Sequence, residues 1–503
     1  MDERGSAKWS RVAYLYVAAL SAGMVCLWAI THYGQQLGPS NGAGRASPIA
    51  VGESQSLLPD FLGGLANNFG SPLGNIILQI LTILVTSHVC GLILRRFGQP
   101  RVIGEIIAGI CLGPSLLKAV FPELHGLLFP ESSLPGLFLV SNIGLILFMF
   151  IVGLELDLHS LSARAKSALL VSHFSIIVPF VLGAGLAVLL FGEFGPHRFG
   201  FLSFALFMGV SMSITAFPVL ARIIQEQNLT RTNLGAVAIT CAAVDDVTAW
   251  CILAVVVGIV QSDSSAGAYG VVSLALVYVG AAVLAVRPVL RRWLVPAMSG
   301  SPRIAPAALG GVFMILLISC LLTESIGIHA LFGAFLAGIV MPEDRGFKTK
   351  LVASVEDVST LILLPVFFAS TGLRTEIGLL NDIHSWLIAG VLIAVAVVGK
   401  MGGSMVAARF TGFNWREAAG LGSLMNTRGL VELVVLNIGY EIGVLSPKAF
   451  TILVLMAIVT TMMTGPLLRL FGIVGAQATR PVRGKVNRDI AMPNVPTLMK
   501  LDS

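Results

Sequence analysis

Charge is scarce in this sequence. Only 12% of its residues are Asp, Glu, Lys or Arg, about half the share usual in a soluble domain. With 56% hydrophobic residues alongside, this excludes the ordinary soluble class and reads as a polytopic membrane protein. Cysteine is sparse too. The six residues Cys26, Cys90, Cys111, Cys241, Cys251 and Cys320 all fall inside apolar stretches, and none has a Cys-x-x-Cys spacing. That argues against a zinc site and against a disulfide framework. A Gly-x-Gly-Asp element is absent, and the one acidic pair in an apolar run is sequential rather than split between two helices. Both facts weigh against an intramembrane aspartyl protease, and no enzyme activity is expected. Glycine is the counterpoint. Its 54 residues exceed the average of roughly 7%, as closely packed membrane helices allow.

What is present is a succession of long apolar runs. Residues 1–11 are polar, with Arg4, Lys8 and Arg11 ahead of the run Val12 to Ile30. This is a signal anchor or a signal peptide; the run is long and no small-residue cleavage site follows at once, which favours a retained anchor helix. Residues 34–58, rich in Gly, Ser and Pro, read as an exposed linker. Apolar spans then follow at about 73–95, 102–119, 135–155, 166–191, 200–226, 232–260, 268–289, 306–323, 327–341, 358–373, 385–409, 415–440 and 449–472. The expected division is an anchor helix and linker over 1–72, a first six-helix set over 73–260, a linking helix and basic loop over 261–305, a second six-helix set over 306–474, and a short basic tail over 475–503. With the N-terminus inside, about 25 of the 32 Lys and Arg fall on the inner side; Arg45, Lys118, Arg198, Arg374 and Lys448 fall outside. One span more or fewer would break that asymmetry. The net charge of +6 therefore needs no nucleic-acid partner; the medium is membrane lipid.

The two six-helix sets look related. Gly104-Glu105-Ile106-Ile107-Ala108-Gly109-Ile110 matches Gly333-Ala334-Phe335-Leu336-Ala337-Gly338-Ile339 in the second spans. In the third spans Phe148, Gly153, Leu154 and Asp157 align with Phe367, Gly372, Leu373 and Glu376; in the fifth, Gly209, Met212 and Leu220 align with Gly422, Met425 and Leu433. Six spans return the chain to its starting side and a seventh crosses, so the second set runs inverted. Inverted repeats mark secondary transporters, with the site near the midplane. The fold class expected is an all-α polytopic membrane protein with a 13-helix 6+1+6 inverted-repeat core and one extra N-terminal helix.

The chemistry centres on Asp245 and Asp246, adjacent in an otherwise uncharged run from Thr232 to Val260. A charge at a helix centre costs roughly 2.5–3.5 kcal/mol on insertion scales, and such a residue reads first as an ion or proton site. The alternative is a structural pair satisfied by other helices. Ser211-Met212-Ser213-Ile214-Thr215-Ala216-Phe217-Pro218 and its repeat mate Leu424-Met425-Asn426-Thr427-Arg428-Gly429-Leu430 place polar and helix-breaking residues in mid-span. Two helices broken at the midplane are expected, with Ser213, Thr215, Asn426 and Thr427 lining the site; the alternative is a proline kink filled by hydroxyl back-bonding. Lys400 lies about nine residues, about 13 Å, from its nearer span end, too far for comfortable snorkelling, so a carboxylate partner is expected in Asp245 or Asp246. Arg428 and Glu432, spaced i, i+4, read as a self-neutralising structural pair or a gating pair. Glu105 is an intramembrane acid, a candidate for an access path or for pairing with a base.

At these residues the chain resembles the monovalent cation:proton antiporters, in the branch of bacterial sodium/proton and potassium/proton exchangers and plant cation/proton exchangers. The resemblance spans about residues 73–474 and rests on Ala243-Val244-Asp245-Asp246-Val247, Ser213 to Arg222, Asn426 to Leu433, and Gly104-Glu105-Ile106 with Leu112-Gly113-Pro114. It implies a core domain with two crossing broken helices, a separate dimer domain and hence a homodimer, and an elevator-like movement. It implies Asp246 as the carboxylate that binds the transported sodium or potassium, or protons, Asp245 paired with Lys400, and an electrogenic cycle. No cofactor beyond the transported ions is implied. The expected location is a bacterial inner membrane, with both termini cytoplasmic if the first helix is retained. The chain departs from many relatives at Ala216, where they carry Asp, and its tail of about thirty residues is too short for the nucleotide-binding domain of potassium-efflux relatives. A sodium-coupled symporter or cation channel on a related repeat fold is the rival reading.

Overall fold

The computed structural model describes residues 71–155, 165–195, 199–229, 232–261, 265–294, 304–342 and 344–473. The anchor run, the linker 34–58, Asp157 and the tail 475–503 lie outside the described residues. All regular structure among the described residues is helical. Among the described residues eleven helices are long and apolar enough to cross a membrane, and Ala330–Val340 is a shorter apolar one. The chain is a multi-pass integral membrane protein.

The helices run in chain order as α1 (Pro72–Arg96), α2 (Arg101–Leu112), α3 (Leu134–Glu155), α4 (Ala165–Phe194), α5 (Phe201–Ser213), α6 (Phe217–Glu226), α7 (Asn233–Gln261) and α8 (Ser265–Ala281). They continue as α9 (Pro306–Ile326), α10 (Ala330–Val340), α11 (Arg345–Val358), α12 (Leu364–Leu373), α13 (Ile383–Val397), α14 (Gly403–Phe410), α15 (Trp415–Met425), α16 (Leu430–Glu441) and α17 (Pro447–Leu470). Single π turns join α11 to α12 at Ser359–Leu363 and α13 to α14 at Val398–Gly402.

Burial is inside-out relative to a soluble protein. Leu189, Leu284, Leu321 and Leu387 are exposed, while Asp245, Asp246, Lys400, Arg428 and Glu432 are fully buried. Lipid accommodates the first group, and the second must find partners within the helices. Where helices meet most closely, glycine makes the room. A Cβ on Gly109 would overlap the Ala369 carbonyl, and one on Gly372 the Ile106 carbonyl. The same holds for Gly153 against the Phe335 carbonyl and for Gly338 against the Phe150 carbonyl. So α2 seats on α12 and α3 on α10, each through a glycine from either side.

Two features differ from the expected spans. The span expected at 327–341 starts late, at Ala330, because Gly327 and His329 adopt positive φ of 90° and 74°. The Gly327 amide caps α9 on the Thr323 and Glu324 carbonyls, and the chain turns there. The span expected at 358–373 reaches back to Arg345 through a π turn. Its first part carries Lys348, Lys350, Glu356 and Asp357, too polar for a hydropathy pattern to count as spanning.

Candidate functional site

Residues Ile214 to Ala216 leave the helical conformation between α5 and α6. Ile214 and Ala216 are extended, with ψ of 140° and 99°. Pro218 sits in the first turn of α6, where its missing N–H is harmless. The mate begins at a capping box, Asn414 with Glu417. It stops at Met425 and resumes at Leu430. The two interruptions touch. The Ala216 amide donates to the Thr427 carbonyl at 3.1 Å, and Thr215 Oγ1 lies 3.1 Å from the Met425 carbonyl. Gly429 fits beside Val219, where a Cβ would come to 2.8 Å of that side chain.

Such breaks leave backbone carbonyls without helical donors. Arg428 supplies three N–H groups to its surroundings. It donates to the Ser211 carbonyl at 2.8 Å and the Met212 carbonyl at 2.6 Å, both at the C-terminal end of α5, and to Glu432 Oε1 at 3.0 Å. A cation at a helix C-terminus also offsets the helix dipole. Thr461 of α17 accepts from the Arg428 amide at 3.0 Å and donates to the Arg428 carbonyl at 2.7 Å. Thr427 Oγ1 meets Thr464 Oγ1 at 3.2 Å.

The acidic pair lies on α7, and consecutive helical residues diverge by about 100°. Asp245 turns to α4 and to the first interruption. It accepts from Ser172 Oγ at 2.5 Å, Ser175 Oγ at 3.1 Å, Thr215 Oγ1 at 2.8 Å and Lys400 Nζ at 3.2 Å. Lys400 donates further to the Ser175 carbonyl at 3.0 Å and to the Ser213 carbonyl. Both acceptors have a local cause. Pro179 stands four residues after Ser175 in α4 and has no N–H to return to it. Ser213 ends α5. Lys400 itself sits on the π turn, flanked by Gly399 and Gly403, which press against Pro179 and Phe174 of α4. Extra backbone in a π turn re-aims a side chain.

Asp246 is different. It is fully buried, yet neither carboxyl oxygen has a hydrogen-bond partner among the described residues. The Phe217 amide, at the start of α6, is the backbone group that faces it, without completing a bond. Asn426, at the end of α15, is likewise buried with both side-chain polar atoms unbonded. A buried carboxylate and a buried amide left without partners are each costly, and their oxygens are of the hard type that suits a small cation.

The structure thus brings Asp245, Lys400 and Thr215 into one bonded group, and joins Thr427 and Arg428 to the other interruption. Ser213 bonds through its backbone, since its hydroxyl turns back to the Val210 carbonyl at 2.9 Å. Glu105 stands on α2 within electrostatic reach of Arg222 of α6 and Arg101 of its own helix. Four residues not singled out in the sequence complete the picture: Ser172, Ser175, Pro179 and Thr461. The available signal was Ser172 and Ser175 one turn apart, with a proline one turn beyond.

Comparison with known proteins places this geometry. The family profile described as "Sodium/hydrogen exchanger, transmembrane" matches residues 83–472. The chain is 43% identical over 393 residues to the Na(+)/H(+) antiporter NhaS4 of Synechocystis, covering 78% of this chain and 96% of that protein. It is 40% identical over 410 residues to Cation/H(+) antiporter 19 of Arabidopsis thaliana, covering 80% of this chain and 50% of that protein. K(+)/H(+) antiporter 1 of Saccharomyces cerevisiae is 35% identical over 412 residues, with 80% of this chain and 47% of that protein covered. The chain thus spans about half the length of these plant and yeast relatives. The solved structure of the sodium proton antiporter MjNhaP1 from Methanocaldococcus jannaschii shares the fold, with a TM-score of 0.58 at 16% identity over 80% of this chain and 97% of that one. A fully buried acidic pair, interrupted helices in contact and a profile match over most of the described residues converge: the chain belongs to the sodium/hydrogen exchanger family of monovalent cation:proton antiporters.

Proposed function

We propose that this protein exchanges a monovalent cation, sodium in the first place with potassium as the alternative, for protons, and that Asp246 is the carboxylate for which they compete. One observation carries the reading. Of two adjacent buried carboxylates, Asp245 is held by four side-chain donors and Asp246 by no side-chain donor among the described residues. A bare buried carboxylate needs a proton or a cation. Crossing the barrier is cheap only for a neutralised site, which couples the two fluxes. Asn426 and the carbonyls of the interruptions are the further ligands proposed for a dehydrated cation.

The pairing of Asp245 with Lys400 supports an electrogenic cycle, in which a second protonatable group travels with the site. The glycine contacts support the inverted 6+1+6 repeat, and the contact between the two interruptions supports crossing broken helices. Gly109 and Gly338 are repeat mates, as are Gly153 and Gly372. In space the partners exchange, with Gly109 on α12 and Gly153 on α10, as a two-fold between repeats requires. On this reading α2, α3, α10 and α12 belong to a stationary, dimer-forming part. The helices α4 to α7 and α13 to α17 carry the ion by an elevator-like shift. The setting proposed is a bacterial inner membrane, with both termini on the cytoplasmic side, and Glu105 flanks the access path.

The test is exchange in proteoliposomes loaded with a pH-sensitive dye, with sodium, lithium and potassium added in turn. Asp246→Asn is expected to abolish the dye response to every cation, and normal exchange by that variant would overturn the assignment. Lys400→Ala is expected to exchange with a diminished dependence on membrane voltage. Cation flux without proton movement would point instead to a symporter or channel.

A further inference from the structure

Ser175 bonds both members of the buried ion pair. Its hydroxyl donates to Asp245 Oδ2 at 3.1 Å and its carbonyl accepts from Lys400 Nζ at 3.0 Å. Ser172, one turn earlier on the same face of α4, donates to the other oxygen, Asp245 Oδ1, at 2.5 Å. The hydroxyls of most membrane-embedded Ser and Thr here bond a carbonyl three or four residues back on their own helix, as Ser211, Ser370 and Ser404 do. Ser172 and Ser175 instead reach across to α7, and both are fully buried. The carbonyl of Ser175 is open to Lys400 because Pro179 supplies no N–H.

We propose that Ser172, Ser175 and Pro179 are positioning residues that dedicate Asp245 to Lys400, and so make Asp246 the carrier. Two carboxylates adjacent in sequence begin with the same chemistry, and both are buried. What separates them is the number of donors each meets. The serine hydroxyls fill lone pairs on each oxygen of Asp245 that a cation would otherwise take, and they do so whether or not Lys400 carries its proton. Pro179 aims Lys400 by leaving a carbonyl that competes for its ammonium alongside Asp245. Asp246, turned about 100° around α7 from Asp245, meets no such donors among the described residues. This inference rests on the reading of Asp246 as the ion site.

The experiment uses full-length protein in proteoliposomes, with the pH profile of exchange and the apparent KM for sodium as readouts. The Ser172→Ala/Ser175→Ala double variant frees acceptor positions on Asp245, which then competes for protons and sodium. The expected result is a displaced pH profile and a change of about tenfold or more in apparent KM, the scale of one lost hydrogen bond to a charged group. Pro179→Ala is the second arm. It restores a helical N–H that competes with Lys400 for the Ser175 carbonyl, and it removes a helix-breaking residue, so folding is not at risk. It is expected to displace the profile without loss of yield. If either variant keeps the parental pH profile and KM, or loses turnover alone with both unchanged, the positioning role is overturned. Asp246→Asn, assayed in parallel, separates the two ideas: exchange surviving in that variant sinks the carrier assignment, whereas its loss beside unaffected serine and proline variants sinks this inference alone.

Discussion

Arg428 and Glu432 are fully buried, four residues apart and 3.0 Å from each other, yet their environments are unequal. The guanidinium also holds the Ser211 and Met212 carbonyls, while Glu432 Oε2 and Arg428 Nε have no partner among the described residues. Removing the arginine therefore strands a carboxylate and two carbonyls together. Removing only the charge of Glu432 leaves the guanidinium both carbonyls and an uncharged acceptor oxygen. Breaking a buried pair from one side costs about 3–5 kcal/mol. Arg428→Met is expected to lose that much in detergent thermal unfolding, and Glu432→Gln, which keeps an acceptor oxygen, distinctly less. Equal losses would mean that the ion pair matters and the capped carbonyls do not. The i, i+4 spacing of this pair was legible from the sequence, as were the acidic pair and the buried lysine. The reach of Arg428 to α5 was not, because it depends on where a different helix stops. Ser172 and Ser175 were hidden for a related reason. A serine in an apolar helix ordinarily bonds its own backbone, and only the one-turn spacing of Ser172, Ser175 and Pro179 hints that these two do otherwise.

Among the helices, contact distance is set by glycine. Gly153 meets the Phe335 carbonyl and the Gly338 Cα so closely that a methyl group has nowhere to go. Backbone, not a flexible side chain, would have to move. Overpacking of that kind costs about 1–3 kcal/mol. Gly390 of α13 faces open space, with nothing within 4 Å of a Cβ, and there alanine gains helix propensity of about 1 kcal/mol. Gly153→Ala is expected to lower the unfolding temperature and Gly390→Ala to hold or raise it, by fluorescence-detected thermal unfolding. If both behave alike, the α3–α10 contact is not the constraint described. The glycines proposed as repeat mates were visible as short matched strings. Which mate packs on which was not, since a string shows likeness and not the exchange of partners in space. The helix ends misjudged at 327 and 358 have local causes in positive φ and in charge, and hydropathy registers neither.

For the molecule as a whole, the elevator-like shift proposed above would move α16 past α12. The two are tied at one end. Asn437 of α16 donates to Thr371 Oγ1 of α12 at 2.8 Å, and Arg374 donates to Asn437 Oδ1 at 2.9 Å and to Glu441 at 2.8 Å. The Arg374 guanidinium also covers the Phe138 ring of α3 at 3.9 Å, a cation–π contact of about 0.5–2 kcal/mol. If α3 and α12 stay still while α16 shifts with the ion, these bonds break once per cycle. A covalent tie there should then stop exchange without touching Asp246. Thr371→Cys/Asn437→Cys, in a background with the six native cysteines replaced, supplies one. Linking with a short thiol-reactive bridge is expected to abolish proteoliposome exchange, and a reducible bridge should give it back on reduction. The unlinked double variant should exchange throughout. Full activity in the linked protein would mean that α12 and α16 move together, and the boundary between carrier and scaffold would have to be redrawn elsewhere in the fold.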